Sequence, residues 1–423
     1  MSDSEPSSTD QPNSTQPGGA GRLGTIDLSP DLLHGAQEIE RTELGLVPHR
    51  LPSWVRSRGA DGQLLMAESR PSGVRIAFDT DATVVELVLL PGRLAYRGGP
   101  ARPDGVYDVE VDGELTSRFT APQANQMWID LQTGAQSMET GEPSTLRIDL
   151  ADAGAGASAG AAGTAGATSP AGMRRVQIWL SHVETVELRA LRADGEVRPV
   201  TADGPAWVHY GSSISQGSNA ETAAGIWPVV AARRAGVDLA NLGFGGSAML
   251  DPFIARIMRD SQADLLSLKV GINIVGADAM RRRVLAPAVH GFIDTIRDGH
   301  PETPLLVISP IYCGIHEETP GPGAFDPAAF AEGRASFIAT GDPADRAAGR
   351  LALADFREVL AEVVEERAAE DPNLHYLDGR ELYGPQDAER WPLPDRLHPD
   401  SEAHRAMGER FAELALERFL PRR

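Results

Sequence analysis

Four short blocks in the second half of the 423-residue chain carry side chains of the kind that do chemistry. Tyr210-Gly211-Ser212-Ser213-Ile214-Ser215-Gln216-Gly217 sets a serine just past an apolar strand and beside a glycine. There its hydroxyl is exposed and its backbone N–H stands free at a helix start. The block is not the G-x-S-x-G elbow, because Ser215 stands where the last glycine would be. Alone, it is also what a helix-capping turn looks like. Asp395-Arg396-Leu397-His398-Pro399-Asp400 precedes the last amphipathic segment. Three-residue spacing in a turn lets the Asp395 carboxylate reach His398 Nδ1–H, which fixes the tautomer and leaves Nε2 outward. Alone, this is a surface histidine before a helix that Asp400 caps. His316, His375 and His404 are given no role.

The two remaining blocks are Asn241-Leu242-Gly243-Phe244-Gly245-Gly246-Ser247 and Val270-Gly271-Ile272-Asn273-Ile274. Glycines past a strand permit positive φ, so a backbone N–H such as that of Gly246 can face a site. Tight turn packing accounts for such glycines equally well. Asn273 is an amide among aliphatics, which needs a partner or a task; capping the following loop is the plainer of the two.

The elements that would position these blocks follow from two periodicities. From about residue 45 to 200 the apolar residues alternate in short runs, as in Val74 to Phe78, Val106 to Val111, Leu146 to Leu150 and Val176 to Leu180. Asp112-Gly113 marks a hairpin. No helical stretch stands out among them, so this region predicts an antiparallel β-sandwich or jelly roll. Ala153 to Gly172, almost wholly Ala, Gly, Ser and Thr, is expected to be a flexible insertion between two strands rather than a recognition segment. After Gly204 short apolar runs (207–210, 237–242, 265–270, 305–308, 375–377) alternate with helical stretches (224–234, 252–259, 279–297, 350–369, 401–419). That rhythm predicts a mostly parallel sheet covered on both faces over residues 205–423, with its site at the carboxyl ends of the strands. The connection from Gly314 to Asp345 is long for a loop and reads equally as a substrate-site lid or a mobile insertion.

Composition narrows the chemistry. Sixty acidic residues against 39 basic give a formal charge of −21, which argues against a nucleic-acid partner. A single cysteine, Cys313, excludes an internal disulfide framework and a multi-cysteine metal site. No H-E-x-x-H occurs, and Asp79-Thr80-Asp81 lacks the other ligands of a calcium loop, so neither metal nor cofactor is expected. Residues 1–22 are Ser-, Pro-, Gly-, Asp- and Thr-rich and predict a disordered tail without a secretory signal. With no membrane-length apolar run, a cytoplasmic location is the default expectation. Oligomeric state is not legible.

Taken together and in this order, the four blocks resemble the SGNH, or GDSL-type, hydrolase family. Ser213 stands in the position of the first-block serine and Gly246 in that of the second-block glycine. Asn273 matches the third-block asparagine, and Asp395 and His398 match the D-x-x-H of the last block. Trp227-Pro228 matches a pair that many members carry in the first helix. The likeness covers residues 205 to 420 and implies a three-layer, flavodoxin-like α/β fold. Two departures are present: Gly211-Ser212-Ser213 replaces Gly-Asp-Ser, and Ile274 stands where an aspartate is usual. A Gly-Ser-Ser block behind a β-sandwich resembles the branch with carbohydrate esterases and acyl-processing enzymes of polyketide pathways. The implied activity is a serine esterase cleaving a small-molecule or carbohydrate O-acyl ester, short-chain and acetyl-like. Ser213, His398 and Asp395 would be its catalytic groups, and the Ser213 and Gly246 N–H groups with the Asn273 amide its oxyanion hole. Two other readings remain: an acyltransferase passing the acyl group to an alcohol or amine, and a non-catalytic carbohydrate-binding protein on the same fold.

Overall fold

The computed structural model describes residues 23–97, 103–130, 133–151, 169–201 and 204–420. The expected 1–22 tail and most of the 153–172 insertion lie outside them.

The alternating runs of the first half pair into two sheets facing one core. One has the order 136–139, 125–130, 84–97, 185–193, 46–49, 38–41; strands Gly24–Ile26 and Ser144–Asp149 flank it on 185–193 and 84–97. The other runs 197–199, 75–80, 174–179, 106–111, 114–120, with Leu33–His34 added beside 75–80. Inward residues such as Ile76, Phe78, Leu87, Leu89, Val109 and Ile178 are fully buried between them. Pairing is antiparallel except between Val84–Arg97 and Asn125–Asp130, which run parallel. Asp112 and Gly113 have φ of 50° and 89°, both positive, as a two-residue hairpin of the I′ kind requires. Ser144–Asp149 lies in the first of these sheets and Arg174–Trp179 in the second.

Two expectations for this half need correction. The sheets begin well before residue 45, because short strands from Gly24 to Arg41 pair at their edges; strands of two to four residues are too brief for a period to show. The half also contains helices, Ser53–Arg56 and Gly62–Glu68. Their apolar residues Val55, Leu64 and Ala67, with Leu51 just before them, are buried in the core of the second half, not of the sandwich.

That second core surrounds a five-stranded parallel sheet: β1 (Ala206–Gly211), β2 (Asp238–Gly243), β3 (Leu265–Lys269), β4 (Leu305–Ile308) and β5 (Leu374–Leu377), in the order 2-1-3-4-5. This is the flavodoxin-like order, whose switch point lies between β1 and β3. Both faces are covered by helices, among them Trp227–Ala235, Pro252–Asp260, Arg282–Arg297, Leu353–Arg367 and Ser401–Phe411. A sheet buried on both faces explains why its strands read as continuous apolar runs. Among the described residues no helix is long and apolar enough to cross a membrane.

The connection from 314 to 345 is not structureless. It contains a hairpin of Gly323–Phe325 and Phe337–Ala339 enclosing the short helix Pro327–Ala331.

Candidate active site

The carboxyl ends of β1, β2 and β3 bring the serine, glycine and asparagine blocks to one edge. β1 ends at Gly211, and Ser213 opens the helical turn Ser213–Gln216. Ser212 precedes that turn in extended conformation and caps it, its hydroxyl accepting the Ile214 N–H at 3.3 Å. In the place of the family's usual aspartate, a serine thus performs the local capping. The Ser213 side chain, half-buried, hydrogen-bonds His398 Nε2 at 2.9 Å.

His398 comes from the loop before the Ser401–Phe411 helix, which Asp400 caps through the Ala403 N–H at 2.9 Å. Asp395 Oδ2 meets His398 Nδ1 at 2.6 Å, and its Oδ1 accepts the N–H of His398 at 2.7 Å and of Leu397 at 3.0 Å. Burial alone would raise the Asp395 carboxyl. The hydrogen bond and charge of His398, with the two backbone N–H groups, outweigh it and hold the group below the usual carboxylate range. The carboxylate therefore stays ionised beside the imidazole.

Gly246, exposed, has φ of 75°, and a Cβ on its neighbour Gly245 would lie 3.4 Å from Ser213 Cβ. Asn273 lies on the short helix Ile272–Gly276, not in a strand; Gly271 before it has φ of 133°, and a Cβ there would meet Pro310 at 2.4 Å. That turn explains how an amide sits among aliphatics: it has left the sheet. Asn273 Oδ1 accepts the Ala248 N–H at 3.1 Å, which orients the side chain and leaves its NH₂ as a donor. Ser213, His398 and Asp395 are thus joined by hydrogen bonds, and Gly246 and Asn273 lie on the segments that follow the neighbouring strands β2 and β3.

Several residues that hold this edge escaped the sequence. Gln63, exposed on the Gly62–Glu68 helix, donates from Nε2 to the Gly245 carbonyl at 2.8 Å. Gln216 Oε1 accepts the Gly245 N–H at 2.7 Å. Asn241 donates to the Ser215 carbonyl at 2.9 Å and accepts the Gly243 N–H at 3.0 Å, tying the end of β2 to the serine turn. Arg50, fully buried, donates to the carbonyls of Asn241 (3.2 Å), Gly243 (2.5 Å), Arg70 (2.6 Å) and Ala67. Burial lowers its guanidinium to about 9. None of these long contacts leaves a local signal in the sequence. Phe337, from the 314–345 connection, sets its ring edge-on to the His398 imidazole, with centroids 5.7 Å apart.

Among the described residues no cluster of His, Cys, Asp and Glu could hold a metal ion. What the arrangement offers is a hydroxyl, an imidazole, an ionised carboxylate and several N–H donors at the mouth of a sheet.

The comparisons agree with that chemistry. A salicylyl-acyltransferase from a tetracycline biosynthetic pathway is 25% identical, with a TM-score of 0.73 over 95% of this chain and 99% of that one. A structure described as a GDSL-like lipase from Bacteroides ovatus is 17% identical, with a TM-score of 0.61 over 94% of this chain and 98% of that one, and shares the fold. No curated protein sequence matches the chain. Residues 205–315 match the GDSL-like Lipase/Acylhydrolase family, so the chain carries there a domain of the SGNH type that serves acyl hydrolases and acyltransferases.

Proposed function

We propose that this enzyme opens an O-acyl ester of a small molecule or carbohydrate through an acyl-serine intermediate on Ser213. The observation that carries the reading is the file of contacts from Ser213 Oγ to His398 Nε2 to Asp395 at 2.9 and 2.6 Å. His398 takes the Ser213 proton as Oγ attacks the carbonyl carbon, and later gives one to the departing alcohol. Asp395 stabilises the imidazolium that forms between the two steps. The tetrahedral oxyanion is held by the N–H groups of Ser213 and Gly246 and by the Asn273 amide. Water then attacks the acyl carbon, with His398 as base, and frees the acid. The acyl group is a short one, acetyl-like. Turnover of a chromogenic acetate ester tests the reading: it is expected to be readily measurable and lost in both Ser213→Ala and His398→Ala. Turnover that survives in either variant contradicts it.

A second reading is favoured by the likeness over nearly the whole chain to an acyltransferase. In it the second nucleophile is an alcohol or amine, deprotonated by the same His398. A panel of acetylated sugars and longer acyl esters, assayed with and without acceptor, separates the two. Acceptor-dependent product supports transfer, and free acid formed at the same rate either way supports hydrolysis.

A further inference from the structure

The hairpin of Gly323–Phe325 and Phe337–Ala339 docks on the loop that carries the imidazole. Its Phe337 N–H donates to the Asp395 carbonyl at 2.9 Å, and its Phe337 ring meets His398 at an interplanar angle of 78°. Phe325 stacks on Phe337, with centroids 4.8 Å apart and planes 30° apart, yet Phe325 is 58% exposed. Three rings thus run from the imidazole out to solvent, and the outermost offers an uncovered apolar face. A lone exposed phenylalanine needs no explanation. One stacked on the ring that abuts the imidazole has a place in the substrate's path.

The proposed chemistry decides which part of a substrate lies there. The carbonyl oxygen turns toward the N–H groups of Ser213 and Gly246 and the Asn273 amide. As the Ser213 Oγ–acyl carbon bond forms and the ester C–O bond breaks, the proton from Ser213 passes through His398 Nε2 to the departing oxygen. That oxygen must come within about 3 Å of Nε2. The alcohol, not the acyl group, therefore lies beside the imidazole, which Phe337 abuts.

Resting on the acyl-serine reading above, we propose that Phe325 and Phe337 form the binding face for the alcohol portion of the substrate, and that this alcohol carries a flat apolar ring a few atoms from its oxygen. In the transfer reading the acceptor alcohol occupies the same face. Stacked aromatic contacts contribute about 0.5–1.5 kcal/mol beyond area, equivalent to about three- to tenfold in selectivity.

The experiment compares 2-(2-naphthyl)ethyl acetate with ethyl acetate, whose alcohols are of similar acidity. A control pair moves the ring to the acyl side: ethyl 3-(2-naphthyl)propanoate against ethyl propanoate. In Phe325→Ala the naphthyl-to-ethyl ratio of kcat/KM is expected to fall about three- to tenfold in the alcohol series, mainly through KM. Phe325→Leu is expected to fall in between, and the acyl-series ratio to stay as in the wild type. An unchanged alcohol-series ratio, or a fall confined to the acyl series, overturns the proposal. Ethyl acetate turnover in the wild type that vanishes in Ser213→Ala keeps the acyl-serine reading standing whichever way the ratios go. A wild type inactive on all four esters overturns both.

Discussion

Ser213 and Ser215 stand two residues apart on one helical turn, and each hydroxyl meets an imidazole Nε2: His398 at 2.9 Å for the first, His209 at 2.8 Å for the second. By distance alone the pairs are indistinguishable. They differ in what lies behind the ring. His398 Nδ1 faces the Asp395 carboxylate at 2.6 Å, whereas His209 Nδ1 faces the Ser267 hydroxyl at 2.8 Å, which also accepts the Trp207 indole N–H. They differ also in burial, for Ser215 and His209 are completely enclosed while Ser213 and His398 are not. Burial, with the charge of Lys269 added to it, pushes His209 well below the ordinary imidazole range. Taking a proton from Ser215 would create a fully buried imidazolium hydrogen-bonded to hydroxyls and not to a carboxylate. A serine–histidine hydrogen bond is therefore not sufficient for a nucleophile; the carboxylate and the opening decide.

The most severe way to break this contrast is to remove each hydroxyl in turn. Ser213→Ala is expected to lower kcat by roughly 10⁶-fold. Ser215→Ala is expected to leave kcat within its original order of magnitude and to cost about 1–3 kcal/mol of stability, from the buried imidazole it strands; steady-state kinetics and urea unfolding read the two effects. Next in size is the group behind the ring. Asp395→Asn keeps the shape but withdraws the charge, and kcat should fall about 10⁴-fold; a fall of only a few-fold would mean the carboxylate serves folding alone. Asn273→Ala is expected to cost about 10²- to 10³-fold in kcat with KM little changed. Smaller again is Gln63→Ala, which frees the Gly245 carbonyl; one hydrogen bond of about 1 kcal/mol predicts a loss of about fivefold in kcat.

The buried histidines sharpen the contrast from the side of stability. His404 accepts the Trp227 N–H on Nδ1 at 3.3 Å and places Nε2 against the Ser218 carbonyl at 3.0 Å. The neutral ring satisfies both, and burial lowers its pKa to about 4. The unfolded chain takes up that proton near 6.5. Its contribution is therefore whole above about pH 6.5 and declines as pH falls from there toward about 4, since the unfolded state binds more protons throughout that window. Denaturant titrations at pH 7 and pH 4.5 should show the stability difference between these pH values shrink in His404→Gln.

The candidate groups could be singled out in the sequence because each lies in a short block at an element boundary, where residue type and spacing survive without a structure. The parallel sheet was legible because doubly covered strands are unbroken apolar runs. What supports the groups was not. Gln63 reaches Gly245 across 182 positions, and Arg50 reaches Gly243 across 193, so nothing local announces either. The helix that carries Gln63 was hidden by its setting among β-strands, and it packs on the core of the other half. Asn273 stands out in the sequence as an amide needing a partner or a task, but its helical turn depends on Gly271 closing against Pro310. That the 314–345 connection packs on the His398 loop rests on a hairpin whose strands are too short for a period to show.

The central claim is that Ser213, and not its neighbour Ser215, forms the covalent intermediate. A fluorophosphonate probe followed by peptide mass spectrometry tests it directly. The account predicts one adduct, on Ser213, which persists in Ser215→Ala and is absent from Ser213→Ala. An adduct on Ser215, or labelling that survives Ser213→Ala, would contradict it.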